Sequence, residues 1–409
     1  MPVRLDQVPA LSPRPARPRG WLWLGVLPLL LLLAGVFGAF LFGTQSLREQ
    51  PVNFWGLALG TPLLGWCLLS FGRVLLYFGQ HQVADGWDQA REEDFSQKVQ
   101  RGRRVQQVLG VSLQTSPQEP DAPTLLSTFL GEFKALKAQP SRADQTVSRH
   151  SRMTCDADES SEQALRRVLT QLLSDLTPIL KQAPDDMPLA LLLEVDSSLP
   201  EDVWQQIWQQ VWSDSGIRQS TVSVGGSGLA ALDQWLDQRI GDQASFMVVA
   251  FQFAPQQLEG TTEVAVGLLF GNRLTQTALP STAYLHRPEQ TRELTTDALI
   301  YAARQALNWV PLEAQAIEQT WQVGIHAQRN EVLTNALAAV SIPAKHNQGF
   351  YNLDTLLGHP GKASPWLAIA AAAQSIQSGA GPQFIVSGGG CVDAGLWSTV
   401  LTPVPSLSK

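Results

Sequence analysis

Two histidines, a serine and an aspartate stand at points where this chain could do chemistry. His326 follows the apolar run Trp321 to Ile325, and His359 closes Leu356-Leu-Gly-His359. An imidazole at a strand end or in a loop can move a proton or stabilise an oxyanion. Ser227 is the hydroxyl of the turn Gly225-Gly226-Ser227-Gly228, and Asp354 is an acid close to His359 in sequence. The turn separates the β-branched stretch Ser220 to Val224 from Leu229-Ala-Ala-Leu232-Asp-Gln-Trp235-Leu236, where apolar residues recur at helical spacing. A strand passing through a tight turn into a helix is a place for nucleophiles and anion sites. Here glycine occupies the tip. Gly-Gly-Ser-Gly-Leu departs from the G-x-S-x-G elbow of serine hydrolases, because residue 229 is leucine. No Gly-Lys-Ser/Thr sequence follows, which excludes a phosphate loop. Cys67, Cys155 and Cys391 are far apart and form no C-x-x-C pair, so no zinc site or disulfide framework is expected. The chain calls for no metal and no cofactor. His346-Asn347 lies in a polar stretch and is expected at the surface.

The elements that must position these residues alternate between strand and helix. Val105 to Leu113, Phe246 to Phe253, Glu263 to Phe270, Trp321 to Ile325 and Phe384 to Val386 are predicted strands. Leu189-Ala-Leu-Leu-Leu-Glu-Val195 is a continuous run expected as a buried strand. Predicted helices cover 124–138, Glu162 to Leu180, Leu294 to Leu307, Glu331 to Val340 and the alanine-rich Ala363 to Ile376. A further helix is expected after Ser198 and Glu201, which resemble a capping box. It places Trp204, Trp208 and Trp212 on one face, expected as a core stripe, the alternative being a ligand or partner groove. Ser116 to Pro123, 139–160 and Asn352 to Gly361 are expected as loops. This alternation indicates an α/β domain with a largely buried sheet.

The 409 residues are enough for more than one module, and 44% hydrophobic against 16% charged content excludes a disordered chain. A formal charge of −7 argues against nucleic acid as the main partner. Residues 1–20 hold four arginines among five prolines and are expected to be a disordered tail. Trp21 to Phe42 is a charge-free apolar run long enough to span a bilayer, and Phe54 to Phe78 is a second, with the polar loop Thr44 to Asn53 between them. The first run is longer than a signal-peptide core and has no suitable cleavage site. The expected organisation is a tail at 1–20, a two-helix transmembrane hairpin at 21–79, a connector helix at 80–104 and a domain at 105–409. Basic residues flank the outer ends of the hairpin, whereas its loop holds only Arg48 beside Glu49. The positive-inside rule therefore places both termini in the cytoplasm, with the domain anchored at a bacterial inner membrane.

Several short motifs, in their order, resemble the β-ketoacyl synthase branch of the thiolase fold over about residues 105–400. Val222-Ser-Val-Gly-Gly-Ser-Gly-Leu-Ala-Ala-Leu232 is similar to that family's nucleophile elbow, Ala-Cys-Ala-Ser-Gly-Leu-x-Ala-Leu. Glu263-Val-Ala-Val-Gly-Leu-Leu269 resembles the strand Glu-Gly-Ala-Ala-Ala-Leu-x-Leu. Val323-Gly-Ile-His326 falls at the family's first active-site histidine, and Leu356-Leu-Gly-His359 with Gly361-Lys-Ala-Ser364 at the second. Phe384-Ile-Val-Ser-Gly-Gly-Gly390 resembles the closing strand and glycine loop.

The resemblance implies a thiolase-like layered α/β domain preceded by two transmembrane helices. It also implies a cleft lined by Gly225, Gly226, Ser227, His326, His359, Gly388 and Gly389. In register with it, the nucleophilic cysteine falls on Gly225, the lysine of the second histidine motif on Asp354, and the turn after the first histidine on Ala327-Gln328-Arg329. Glycine cannot form a thioester. No catalytic residue is therefore expected, and His326 and His359 are vestigial candidates. The first reading is a pseudoenzyme acting as a membrane adaptor or scaffold. In general architecture it is similar to the lipase-adaptor family of type VI secretion, whose partner would be a secretion effector or machinery component. The alternative is an acyl-binding or decarboxylating enzyme that lacks the cysteine nucleophile. The resemblance also implies a homodimer formed through the sheet edge.

Overall fold

The computed structural model describes residues 3–42, 52–116, 136–142, 146–154, 159–275, 279–345, 348–389 and 395–405. The chain divides into two compact units, Arg4–Lys98 and Val99–Lys409 with Met1–Val3.

In the first unit, helix α1 spans Gly20–Phe42 and a second helical passage, α2, spans Val52–Gly102, with a π-helical turn at Gly56–Gly60. By length and composition both could cross a membrane: the most apolar 18-residue stretch has mean hydropathy 2.5 in Gly20–Leu41 and 1.5 in Val52–Gly102. The helix expected at 80–104 is present over 80–102, where α2 continues without a break to Gly102. Residues 4–19 form no strand and no long helix, yet they are not loose. Arg14 pairs with Asp85 and Asp88, and Arg91 Nε donates to the Pro9 carbonyl at 2.6 Å. Arg14, one of the arginines that make the tail polar, thus also pairs with acids of α2. Most of the loop 44–53 lies outside the described residues, as do Cys155, Cys391, His346 and nearly all of the helix expected at 124–138.

The second unit is built around one eleven-stranded sheet. Its strands are β1 (Val105–Gln114), β4 (Leu189–Ser197), β5 (Thr221–Ser223), β6 (Ser245–Phe253), β7 (Val264–Gly271), β8 (Ala283–His286), β9 (Glu289–Gln290), β10 (Gln319–Val323), β11 (Phe350–Asn352), β12 (Gln383–Ser387) and β13 (Trp397–Pro403). β2 (Lys137–Pro140) and β3 (Val147–His150) pair separately. The helices are α3 (Ser161–Leu180), α4 (Glu201–Asp214), α5 (Gly228–Gln238), α6 (Thr296–Trp309), α7 (Asn330–Val340) and α8 (Ser364–Gln377).

The strand order is β11-β10-β12-β13-β8-β1-β7-β6-β4-β5. Each half has the same plan. Numbered by appearance within its half, the strands lie in space as third, second, fourth, fifth, first, and the fifth runs antiparallel to its neighbours. The halves meet where β1 pairs antiparallel with β8. Helices α5 and α8, each following the third strand of its half, are therefore equivalents.

Packing gives five layers. Alternate residues of β6 (Phe246, Val248, Ala250) face a central core shared with α5 and α8, while Met247, Val249 and Phe251 face an outer core with α3 and α4. A third core joins α6 and α7 to β12 and β13. Burial on both faces explains why β6 reads as an unbroken apolar run. The tryptophan face of α4 lies on the outer core: Trp208 is buried, and Trp204 meets Phe251 edge-on at 6.5 Å.

Several expectations are corrected. The stretch 139–160 contains β3 and the end of β2, a short ladder whose alternation is too brief to read in sequence. Ser198 makes no cap; Pro200 precedes α4 without a side-chain hydrogen bond, its fixed φ serving the first turn. A true capping box sits instead at Ser160 and Gln163. The loop after Asn352 begins with a helical turn, Leu353–Leu356, because the Asn352 side chain accepts from the Thr355 amide. β8, β9, β11 and β13 appear in addition.

The end of α2 is held by the second unit's own residues. Arg287, fully buried, donates to Asp233 Oδ1 at 2.7 Å, to Asp237 Oδ1 at 2.8 Å and to the Arg101 carbonyl at 3.1 Å. The Trp309 ring lies where a Cβ on Gly102 would fall, so glycine is required there.

Candidate functional site

Equivalent turns in the two halves converge on the central layer. In the first half, β5 leads through Gly225-Gly226-Ser227 into α5. β5 is an exposed edge strand of three residues, and Gly225, Gly226 and Ser227 are exposed. A side chain on Gly225 would meet open space, and Gly226 has φ +100°. Ser227 is the residue before α5 but makes no side-chain cap. The cap comes from elsewhere: the Gly228 amide donates to Glu194 Oε1 at 2.5 Å. Glu194, 6% exposed near the end of β4, also accepts from Trp366 Nε1 of α8 at 2.6 Å. One carboxylate thus joins the start of α5 to the start of α8. A carboxylate is favoured there by the helix dipole. Burial raises its pKa, while the Trp366 and Gly228 hydrogen bonds and Lys362 pull it down.

In the second half, the turn from β11 to α8 carries His359. The His359 amide donates to the Gly260 carbonyl at 2.8 Å, and its own carbonyl accepts from Gln252 Nε2 at 2.8 Å. Gly358 (φ +104°) and Gly361 (φ +54°) make the turn possible. His359 Nδ1 accepts from the Gly361 amide at 3.1 Å, so in the neutral ring the proton sits on Nε2. His326 follows Gly324 (φ +66°), whose own environment leaves no room for a side chain beside Ser364. The two rings lie 6.1 Å apart between centroids. The Nε2 atoms of both are buried and make no hydrogen bond among the described residues. Asp354 accepts from the Gly324 and Ile325 amides at 2.9 and 3.1 Å. Burial raises its pKa, opposed by those amides and by both histidines. It anchors the loop that presents His326.

The geometry divides the sequence-derived candidates into two groups. His326 and His359 are brought together. Ser227, Gly388 and Gly389 line a neighbouring pocket of about 490 Å³, with Glu194, Asp196, Gln290, Lys362, Ser387 and Trp397 among its walls. Gly225 and Gly226 line neither. Glu194 is the residue that sequence reasoning missed. Its signal was present, as the lone charge in Leu189-Ala-Leu-Leu-Leu-Glu-Val195. No group of three or more metal-ligating side chains occurs among the described residues.

Gly361→Ala is expected to unfold this corner. The added methyl would fall on Gln252 Oε1 and Asp196 Oδ2, at a left-handed φ. The expected cost is roughly 2–4 kcal/mol, read as a lower urea midpoint. A midpoint equal to that of the unsubstituted protein would contradict the packing described.

No family model matches this sequence, and neither does any curated protein. Solved structures do. The ishigamide ketosynthase/chain length factor aligns over 74% of this chain and 100% of its own, at 15% identity and TM-score 0.52. A β-ketoacyl synthase from Burkholderia phymatum STM815 aligns over 74% and 100%, at 10% identity and TM-score 0.52. A ketosynthase in complex with its type II polyketide acyl-carrier protein aligns over 74% and 100%, at 12% identity and TM-score 0.50. The domain has a mixed α/β fold of the thiolase/β-ketoacyl-synthase kind.

Proposed function

We propose that this chain is a non-catalytic adaptor, anchored by its two apolar helices and using a thiolase-like domain to hold a protein partner. The observation that carries this reading is the state of the turn at 225–228. Gly225 supplies no nucleophile, and the Gly228 amide, which opens α5, is already engaged by Glu194. Acyl transfer needs an attacking group and free donors for the oxyanion. Here the first is missing, and the amide that opens α5 is already held by the Glu194 carboxyl group.

In this proposal the hairpin at 21–79 lies in the bacterial inner membrane with both termini cytoplasmic. The partner is a secretion effector or a component of the secretion machinery, of the type VI kind. The exposed edge strand β5 is the surface through which a homodimer would form. One structural neighbour is seen with an acyl-carrier protein, which supports a protein as the class of partner. The reading is tested by incubating the detergent-solubilised full-length protein with butyryl- and palmitoyl-thioesters and recording its intact mass. No acyl adduct is expected. A stoichiometric adduct would overturn the non-catalytic reading.

The buried Nε2 atoms of His326 and His359 favour a second reading, a decarboxylating or acyl-binding protein without the cysteine. Two imidazole N–H groups could hold the enolate oxygen left when a malonyl thioester loses carbon dioxide. On this reading release of carbon dioxide from a malonyl thioester disappears in His359→Ala. On the adaptor reading none is released by either protein.

A further inference from the structure

The pocket beside the histidines differs in polarity from a site made for acyl thioesters. A thioester carbonyl needs hydrogen-bond donors. In this pocket the helix-start amide of Gly228 is spent on Glu194, and the Trp366 indole N–H is spent on the same carboxylate. Glu194 and Asp196 bring two carboxylates, and each Glu194 oxygen has accepted only one of the protein's donors here. Among the described residues Lys362 is the only cation lining it, and its Nζ turns to the Val195 carbonyl at 3.3 Å. Among the described lining residues two carboxyl groups thus face one ammonium.

Two further observations point to an occupant. Ser387 lines the pocket, is 0% exposed, and its Oγ has no hydrogen-bond partner among the described residues. A buried hydroxyl left unpaired is costly, and a ligand N–H would satisfy it. Trp397 forms part of the wall, and an indole attracts a cation through its ring face.

We propose that this pocket is a receptor for a cationic N–H donor, the ammonium or guanidinium end of a lysine- or arginine-like group. Glu194 and Asp196 accept its hydrogen bonds, Ser387 accepts one more, and Trp397 covers its stem. Two sources present this chemistry, a side chain of a bound protein and a free amine. The assignment deepens the adaptor reading by giving its partner an anchor residue.

The test uses the detergent-solubilised full-length protein and saturation-transfer NMR with four probes. These are Nα-acetyl-lysine methylamide, Nα-acetyl-arginine methylamide, putrescine and the neutral Nα-acetyl-norleucine methylamide. Cationic probes are expected to bind at least tenfold more tightly than norleucine. Asp196→Asn should weaken them several-fold, and Lys362→Met should strengthen them. The Lys362 substitution moves a surface residue, so its gain cannot arise from misfolding. An amino-acid amide binding ahead of putrescine assigns the pocket to a partner's side chain, and the reverse order assigns it to a free amine; both support the site. Equal binding of lysine and norleucine probes, or no change on Lys362→Met, would overturn it. The two readings also fail separately. An acyl adduct in the mass experiment with cation binding intact removes the non-catalytic reading alone. Absent cation binding with no adduct removes this site alone.

Discussion

Arg287→Met is expected to destabilise the domain by about 3–5 kcal/mol, the range for breaking a buried ion pair from one side. The guanidinium is fully buried and holds Asp233, itself 2% exposed, together with Asp237 and the Arg101 carbonyl. Methionine keeps most of the volume but removes the charge. Asp233 would then stay buried without its cation, and the last turn of α2 would lose its C-terminal donor. The measurement is a urea titration of the detergent-solubilised protein, with a lowered midpoint and an unchanged slope expected. Arg287→Met combined with Asp233→Leu should recover much of the loss, since an apolar replacement of a buried pair is often neutral. A loss below about 1 kcal/mol for the single substitution would mean that the cluster is not a stabilising element.

Glu289→Gln should act in the opposite direction and depend on pH. Glu289 is 1% exposed, and among the described residues neither carboxylate oxygen makes a hydrogen bond of normal length, the Trp309 indole being only a weak donor to it. Burial pushes its carboxyl up to about 7, against smaller pulls from the Trp309 indole and Arg292; Asp233 adds to the rise and Arg287 opposes it. A carboxyl raised on folding is most favourable to the fold when neutral in both states, below its unfolded value near 4.5. That contribution is lost as the pH rises through 4.5 to about 7, where the folded state must carry a buried charge. The unsubstituted protein should therefore lose stability over that window. Glu289→Gln should flatten the profile and gain on the order of 3 kcal/mol at pH 8. Parallel pH–stability curves for the two proteins would contradict the burial described.

The cores of both halves were legible in sequence where a run was long and apolar. β6 and β7 are buried on both faces, so every residue contributes to the signal. α3 and α8 are long and carry clear apolar patterns. The repeated strand plan of the two halves was not legible, because it lies in pairing order and the equivalent strands share no motif. β8, β9, β11 and β13 escaped for a related reason. Three of them have two to four residues, and β13 mixes Ser398, Thr399 and Thr402 among its apolar positions. At the site, the histidines could be found because each stands at a predicted strand end or in a loop, within a motif resembling the family's. Glu194 was hidden by its setting: a charge within a buried strand was averaged into an apolar run, although it links the two central helices. The converse holds for Gly225, which mattered in sequence as a missing nucleophile and which lies exposed beside open space.

The central claim is that the chain holds a protein and does not turn over an acyl group. It is tested most directly by affinity capture of the detergent-solubilised full-length protein from its native cells, comparing the unsubstituted chain with a His326→Ala, His359→Ala double variant. Bound proteins and extracted acyl groups are identified together by mass spectrometry. The adaptor account predicts a stoichiometric effector or secretion-machine subunit with both proteins, and no acyl species with either. An acyl carrier or acyl ligand that accompanies only the unsubstituted chain, with no other protein, would contradict it.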